Sequence, residues 1–326
     1  MLVVGLRIAL PQADSAVVKL LMPAAWDAHS GTSQEKSVSD TTIPVRIISP
    51  QQLKSAGELP AFPIEQFPKR FLAQGDSWFS IGAIPPHLTT NLLLELELAA
   101  GTCIVNCASP GQTLHKMTNT TRNPVFLNLL RGRTAFDWDA ILISGGGNDL
   151  IAALESRDPA PALRILATEA ERGDSALGAV RYLSPAGLLT FSDHLRAVFS
   201  QLVQARDSGR NAGKPIVFHT YDLAVPRDAD AGFGFGPWLS AAFTAFAIPP
   251  ADWTPVAREL FAQMHQLLTA VSQQFPSMVL VDTLGTLQMA DANATGPSGD
   301  WQNEIHPTRR GYDKLGERWK PVLNGL

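Results

Sequence analysis

Three residues of this chain carry the side chains that acyl transfer requires. Ser77 ends a Gly-Asp-Ser tripeptide, Asn148 is the middle residue of Gly-Asn-Asp, and His306 directly precedes a proline. A serine hydroxyl becomes an effective nucleophile when a neighbouring base, such as imidazole, takes its proton. A side-chain amide can donate to a developing oxyanion, a contact worth roughly 3–4 kcal/mol in the best-measured cases. Together they predict a serine hydrolase with His306 as its base.

Each of these segments has a simpler structural interpretation when it is taken alone. Asp76 or Ser77 could merely cap a helix, as could Asn148. The G-x-S-x-G elbow of α/β-hydrolases is absent. The glycines at 145–147 match neither the dinucleotide-binding fingerprint nor the P-loop. His219, at the end of an apolar run, is the serious rival to His306 as the base.

The pattern of elements from Arg70 onwards places these residues at one edge of a sheet. Short, almost continuously apolar runs predict strands buried on both faces, at 70–74, 102–107, 140–144, 215–220 and 278–281. Longer helical patterns lie between and after them, at 91–99, 150–154, 161–172, 185–205, 255–274 and 308–319. Such alternation predicts a parallel sheet covered by helices on both sides. Ligands bind at the carboxyl ends of such strands, where Ser77 and Asn148 fall.

Two parts of the chain depart from this alternation. Residues 1–66 are predicted to be an N-terminal extension that packs on a main domain of residues 67–326. The main domain carries inserts at about 151–185 and 223–253, and the second is rich in glycine, proline and aromatic residues. We interpret it as a loop and helix over the carboxyl edge of the sheet. Candidates for an acyl pocket are Trp78, Phe233, Phe235 and Trp238, although the aromatic residues of the insert could equally fill a local core.

Composition excludes some classes of function. The net charge is −4 and there is no cluster of Lys and Arg, so nucleic acid is not an expected partner. Cys103 and Cys107 lie about 13 Å apart if their run is a strand, too far for a disulfide. No apolar stretch is long enough to span a bilayer. A soluble protein is expected, with the cytoplasm slightly favoured because no clear signal peptide is present. The oligomeric state is left open.

The order of the motifs resembles the SGNH hydrolases, also called the GDSL esterase/lipase family. Gly75-Asp76-Ser77 matches the nucleophile block of that family, Gly111 its glycine block, Gly147-Asn148-Asp149 its asparagine block and His306-Pro307 its histidine block. The resemblance implies a three-layer α/β/α sandwich with a central, mostly parallel five-stranded, flavodoxin-like sheet. It also implies Ser-His chemistry without a metal or cofactor. The oxyanion hole would consist of the Ser77 N–H, the Gly111 N–H and the Asn148 side chain.

One position departs from the family pattern. An aspartate usually lies three residues before the histidine, whereas this chain has Asn303 there and Asp300 six residues before it. Asn303 could accept a hydrogen bond from His306 and orient the ring, but it could not offset imidazolium charge. We favour Asn303 as the orienting residue, with Asp300 or a backbone carbonyl as alternatives.

The expected activity is hydrolysis of carboxylic esters with short to medium acyl chains. A carbohydrate deacetylase or a thioesterase is the alternative with the same fold, since fold and triad do not fix the leaving group. Two further candidates are a metal-dependent phosphoesterase and a non-catalytic binding domain. An unperturbed histidine base predicts that the rate falls below roughly pH 6–7.

Overall fold

A fully parallel sheet of six strands forms the centre of the structure, a computed structural model that describes residues 42–54, 61–81 and 90–326. Eight strands occur among these residues: β1 Ile43–Pro44, β2 Arg46–Ile48, β3 Lys69–Gly75, β4 Glu97–Leu98, β5 Thr102–Asn106, β6 Ala140–Ser144, β7 Ile216–His219 and β8 Met278–Val281. The strand order in the sheet is β2-β5-β3-β6-β7-β8. All five strands predicted from the sequence are therefore confirmed.

Helices cover this sheet and complete a three-layer α/β/α sandwich. They are α1 Leu114–Thr118, α2 Pro124–Arg131, α3 Gly147–Glu155, α4 Pro185–Asp207, α5 Leu239–Ala245, α6 Pro250–Gln274 and α7 Arg309–Asn324. Helix α4 contacts α1, α2 and α6, whereas α7 contacts β4 and β8. The central strands β6 and β7 are buried throughout, which explains why their sequences are continuously apolar.

The sixth strand corrects the expected number of five. Strand β2 pairs in parallel with β5 and forms one edge of the sheet, yet it lies within residues 1–66, which the sequence assigned to an extension. It is only three residues long, begins with a charged residue and is closely flanked by Pro44 and Pro50, so its sequence gives little strand signal. Residues 1–41 of the expected extension lie outside the described residues.

Two predicted helices are absent from the described residues. Segment 91–99 forms turns followed by β4, because Glu97 and Leu98 pair with the antiparallel strand β1. Segment 161–172 forms two short 3₁₀ turns, Pro161–Leu163 and Glu169–Glu171. The buried Arg164 guanidinium donates there to the carbonyls of Asp158 and Leu166, so the backbone wraps around a charge instead of forming a helix.

The order of the strands places the functional edge between β3 and β6. The connection from β3 leads to β5 on one side, and the connection from β6 leads to β7 on the other. A crevice opens where connections diverge in this way, at the carboxyl ends of the two strands. The register pairs Gly75 with Ser144, so the segments that follow β3 and β6 emerge side by side.

No helix among the described residues is long and apolar enough to cross a membrane. Both cysteines are free thiols: Cys103 is buried in β5, whereas Cys107 lies one residue beyond that strand and is half-buried.

Asn211 provides a test of the fold away from this edge. Its buried side-chain amide donates to the Leu130 and Phe136 carbonyls and accepts from the Trp138 amide. Asn211→Ala leaves these three backbone groups without partners, and we expect the free energy of unfolding to fall by about 3 kcal/mol. Urea unfolding of the variant beside the parent measures this. A loss below about 0.5 kcal/mol would contradict the assigned hydrogen bonds.

Candidate active site

Ser77 lies in a tight turn directly after β3. The Asp76 amide donates to the Ser144 carbonyl over 3.1 Å, which extends the pairing of β3 with β6 by one residue. The Trp78 amide donates to Asp76 Oδ1 at 3.0 Å, and the Phe79 amide donates to the Asp76 carbonyl at 3.3 Å. Ser77 is therefore fixed from both sides, while its own side chain remains half-buried at the crevice.

A buried network lies beneath this turn. The Asp76 carboxylate accepts hydrogen bonds from the Ser144 hydroxyl at 2.8 Å and from the Tyr221 hydroxyl. Burial raises the pKa of Asp76 to about 6, although the hydrogen bonds from Tyr221, Ser144 and Trp78 act in the opposite direction. Asp76 thus joins the end of β3 to β6 and to the segment that follows β7.

His219 belongs to this buried network and not to the crevice. Its Nδ1 lies 2.6 Å from the Thr220 carbonyl oxygen and its Nε2 lies 3.0 Å from the Ser144 hydroxyl. Burial lowers the pKa of His219 to about 4. Because both ring nitrogens face buried partners, the ring is placed as a structural group.

His306 contacts the Ser77 hydroxyl. The loop before α7 brings His306 Nε2 to 2.8 Å from Ser77 Oγ, and places His306 Nδ1 3.0 Å from Asn303 Oδ1. The imidazole is almost fully buried, and this burial lowers its pKa to about 4. A neutral ring with an unprotonated nitrogen facing a serine hydroxyl is the arrangement that a general base requires.

Asn303 presents its oxygen, and not its amino group, to His306. The backbone amides of Ile305 and His306 donate to the same Oδ1, at 3.1 and 2.9 Å. Backbone N–H groups are donors only, so they determine which end of the amide faces the ring. The ring must then donate from Nδ1, which leaves Nε2 free to accept the serine proton. Asn303 Nδ2 is buried without a hydrogen-bond partner among the described residues.

Asp300 is engaged elsewhere. Its carboxylate forms ion pairs with Arg310 at 2.7 Å and Lys314 at 2.5 Å, and it accepts from the Gln288 amide at 2.7 Å. These partners hold both carboxylate oxygens within the base of the loop and the first turns of α7. The structure therefore brings Asn303, and not Asp300, into contact with His306.

The expected oxyanion donors follow three adjacent strands. Ser77 follows β3, Gly111 follows β5, and Asn148 lies in the first turn of α3 after β6. Asn148 Nδ2 donates to the Gln112 carbonyl at 3.1 Å, so its side chain contacts the loop that contains Gly111. The Ser77 and Gly111 amides donate to none of the described residues. The second N–H of the Asn148 amide is also available to a ligand.

The glycines before Asn148 allow a close approach that other residues would block. Gly146 has φ of +107°, and a Cβ there would lie 2.7 Å from the Met264 side chain. A Cβ on Gly147 would lie 2.9 Å from the Tyr221 ring. Alanine at either position would therefore displace the start of α3 and, with it, Asn148.

An apolar cleft that is partly open to solvent adjoins these groups. Asp76, Ser77, Asn148, Tyr221 and Asp222 contribute its polar side chains. Most of its wall is apolar, and the larger side chains are Leu150, Ile151, Leu239, Phe261, Met264 and Trp301. An apolar cavity with a few convergent polar groups is typical of a site for a small organic ligand.

The aromatic residues predicted to form this pocket have different positions. Trp78 lines the cleft, and Trp238 packs edge-to-face against the His306 ring, with 5.5 Å between ring centroids. Phe233 and Phe235 lie outside the cleft, with 86% and 55% of their surface exposed. Hydrogen bonds between Ala231 and Phe235 and between Phe235 and Gly232 close a turn that directs these rings to solvent.

Sequence patterns missed most of the cleft wall and the buried supports of the site. Phe261 and Met264 lie three residues apart on α6, a spacing that placed them on a core face without indicating a pocket. Tyr221 follows β7, and its position at the end of a strand was a signal from which it could have been predicted as a site residue. Among the described residues, no group of three or more His, Cys, Asp or Glu side chains is arranged to hold a metal ion.

Comparisons with known proteins find similarity to solved structures only. No family model matches the chain, and no curated protein matches it. A lipase from a goat rumen metagenome is 16% identical with a TM-score of 0.45, over 77% of this chain and 95% of its own. A candidate SGNH hydrolase from Slackia heliotrinireducens is 12% identical with a TM-score of 0.43, over 78% and 98%.

A mutant of an acetyl-xylooligosaccharide esterase from Geobacillus stearothermophilus is 14% identical with a TM-score of 0.40, over 78% of this chain and 93% of its own. At such identities and TM-scores, the function is inferred from the geometry of the site.

The Tyr221 hydroxyl tests the buried network. Tyr221→Phe removes a hydrogen bond to a carboxylate but keeps the ring against Gly147, and we expect the free energy of unfolding to fall by about 1.5–3 kcal/mol. Urea unfolding at pH 8, where Asp76 is ionised, measures the loss. An unchanged unfolding midpoint would show that Asp76 does not depend on this donor.

The burial of His306 predicts an unusual titration. Its pKa in the folded protein lies below the ordinary value of 6.5, so folding favours the neutral ring. The contribution of the neutral ring to the free energy of unfolding is present above pH 6.5 and is lost as the pH falls through about 4. We expect NMR of the histidine rings, assigned with His306→Ala, to give a midpoint near pH 4. A midpoint near 6.5 would mean that the ring is hydrated.

Proposed function

We propose that the chain is an SGNH-type serine esterase that hydrolyses carboxylic esters with short to medium acyl chains. The observation that carries the proposal is the contact between Ser77 Oγ and His306 Nε2 at 2.8 Å, with His306 Nδ1 on Asn303. The apolar cleft beside Ser77 and the free donors around it supply the two further requirements, a place for the acyl group and charge stabilisation.

The reaction would proceed through an acyl-enzyme. Ser77 Oγ attacks the ester carbonyl while His306 Nε2 takes its proton. The Ser77 amide, the Gly111 amide and the Asn148 side chain would donate to the oxyanion of the tetrahedral intermediate. His306 then gives its proton to the leaving alcohol, and water releases the acyl group by the same steps in reverse.

Asn303 would keep the imidazole in its productive tautomer without a carboxylate. In a serine protease, replacing the triad aspartate by asparagine costs about 10⁴-fold because the ring adopts the wrong tautomer. Here the amides of Ile305 and His306 hold Oδ1 towards the ring, so that Nδ1 donates and Nε2 accepts. Asn303 therefore supplies orientation but no charge to stabilise the imidazolium.

The cleft favours a hydrocarbon acyl group over a sugar. Its larger side chains are aliphatic, aromatic or Met264. The Tyr221 hydroxyl already donates to Asp76, and the Asp222 carboxylate already accepts from three backbone amides, so few partners remain for the hydroxyls of a sugar. An aliphatic chain, in contrast, gains about 0.8 kcal/mol for each buried methylene. We therefore place alkanoate esters ahead of carbohydrate acetates and thioesters as substrates.

Hydrolysis of p-nitrophenyl esters from acetate to decanoate tests this proposal. We expect the parent to hydrolyse them without sensitivity to EDTA, and Ser77→Ala to lose at least about 10³-fold in kcat, since nucleophile and base act as a unit. The acyl chain length with the highest kcat/KM measures how long a chain the acyl pocket accommodates. Equal rates for parent and Ser77→Ala would contradict the proposal, and Asn211→Ala serves as a control with reduced stability and an intact site.

Substituting Asn303 tests the role of the missing carboxylate. Protonation of His306 should not limit the kcat/KM of the parent above about pH 5, because burial holds the His306 pKa near 4. Asn303→Asp places a carboxylate charge beside His306 Nδ1 and should raise the acid midpoint of kcat/KM by one to two pH units. An unchanged pH profile in Asn303→Asp would show that residue 303 does not act on the base.

A further inference from the structure

We propose that Glu304 is a positioning residue of this active site, which holds residues 227–240 against the His306 loop so that the Trp238 ring covers the imidazole. The proposal rests on the function proposed above and adds a residue that touches neither substrate nor the reacting atoms. It assigns the insert at 223–253 a task at the catalytic base, instead of the acyl pocket expected from its sequence.

Glu304 binds the insert with its whole side chain. The residue is fully buried, and its two carboxylate oxygens accept hydrogen bonds from four backbone amides. The donors are Trp238, Leu239 at 2.8 Å, Ser240 at 2.8 Å and Arg227 at 3.1 Å. The Glu304 amide in turn donates to the Ala229 carbonyl at 2.9 Å.

This arrangement replaces an ordinary helix cap. Trp238 is the N-cap residue of α5, and its side chain cannot accept the free amides at the start of the helix. Those amides donate instead to a carboxylate 66 residues further along the chain. The start of α5 is therefore fixed to the loop that carries the catalytic base, two residues before His306.

Arg227 binds the same loop from the other side. Its guanidinium donates to the Asn303 carbonyl at 2.7 Å and to the carbonyls of Ala294 and Gly296. The Ser240 hydroxyl closes the insert by donating to the Arg227 carbonyl at 3.0 Å. Asn303 and Glu304 are thus held between two ends of one insert segment, which restricts the loop that orients the imidazole.

The consequence for His306 is loss of contact with water. The Trp238 ring meets the imidazole edge-to-face at 77°, with 5.5 Å between centroids, and Trp238 is itself half-buried. Burial is the cause of the lowered His306 pKa. Removing the cover should therefore raise the pKa towards its ordinary value.

Charged groups around the loop are engaged with other partners. Asp76 lies beneath Ser77 with Tyr221 and Ser144, and Asp300 pairs with Arg310 and Lys314. Arg227 and Glu304 belong to the insert contact itself. We therefore expect the insert to act on the His306 pKa through the contact of the imidazole with water.

Two substitutions separate this role from simple stabilisation. Glu304→Gln keeps the shape, but its amino group would face backbone N–H donors, so the insert should loosen. Trp238→Ala removes the cover from a half-buried position and should leave the fold intact. We expect the His306 ring to titrate at least one pH unit higher in both variants, with the same shift in the acid midpoint of kcat/KM.

Trp238→Phe and Asn211→Ala are the matched controls. Phenylalanine keeps an aromatic cover on the imidazole, so the midpoint should stay within about 0.3 pH units of the parent. Asn211→Ala removes a buried hydrogen-bonded side chain remote from the loop, so it should lose stability with an unchanged midpoint.

Parent-like titration of His306 in both Glu304→Gln and Trp238→Ala would overturn the proposal. If Glu304→Gln does not fold, Trp238→Ala alone decides. A parent-like midpoint in Trp238→Ala would show that the Trp238 ring does not keep water from the imidazole. NMR titration needs no substrate. A parent without esterase activity would therefore refute the proposed function, while the titration would still test the positioning role.

Discussion

A carboxylate without access to water is the constraint on which the proposed active site depends. Asp76 is buried at the end of β3, and it is tolerated there because Ser144, Tyr221 and the Trp78 amide donate to it. These bonds join three elements of the sheet edge and fix the turn in which Ser77 lies. The Tyr221 ring also lies against Gly147, so the same cluster sets the start of the helix that carries Asn148.

The proposed catalytic base is controlled by burial and orientation, without a partner charge. Asn303 holds the imidazole through one oxygen that also accepts two backbone amides, and Trp238 covers the ring from the insert. A carboxylate partner would raise the basicity of the ring, whereas removal from water lowers it. The proposed base should therefore stay unprotonated in mildly acidic solution. For an unperturbed histidine, in contrast, the rate is expected to fall below roughly pH 6–7.

The sequence predicted the elements that carry their own periodic signal. The five apolar strands and the long helices α4 and α6 were predicted correctly because their patterns are local. Ser77, Asn148 and His306 were proposed as site residues because polar residues interrupt those patterns at strand or helix ends. The edge strand β2 and the pairing of β4 with β1 depend on contacts between distant segments, which no local pattern contains. Glu304 was missed for the same reason, since its partners lie 64 to 77 residues away. Phe233 and Phe235 were misplaced because a turn, and not hydrophobicity, sets their direction.

Covalent labelling with a fluorophosphonate tests the central claim most directly, because only an activated serine beside a working base reacts at an appreciable rate. The parent protein should gain one adduct by intact mass, peptide mapping should place it on Ser77, and His306→Ala should label at least about 100-fold more slowly. Labelling should persist at pH 5, where an exposed histidine would already be largely protonated. An adduct on another serine, or none under conditions that label a known serine esterase, would contradict the assignment of Ser77 and His306 as nucleophile and base.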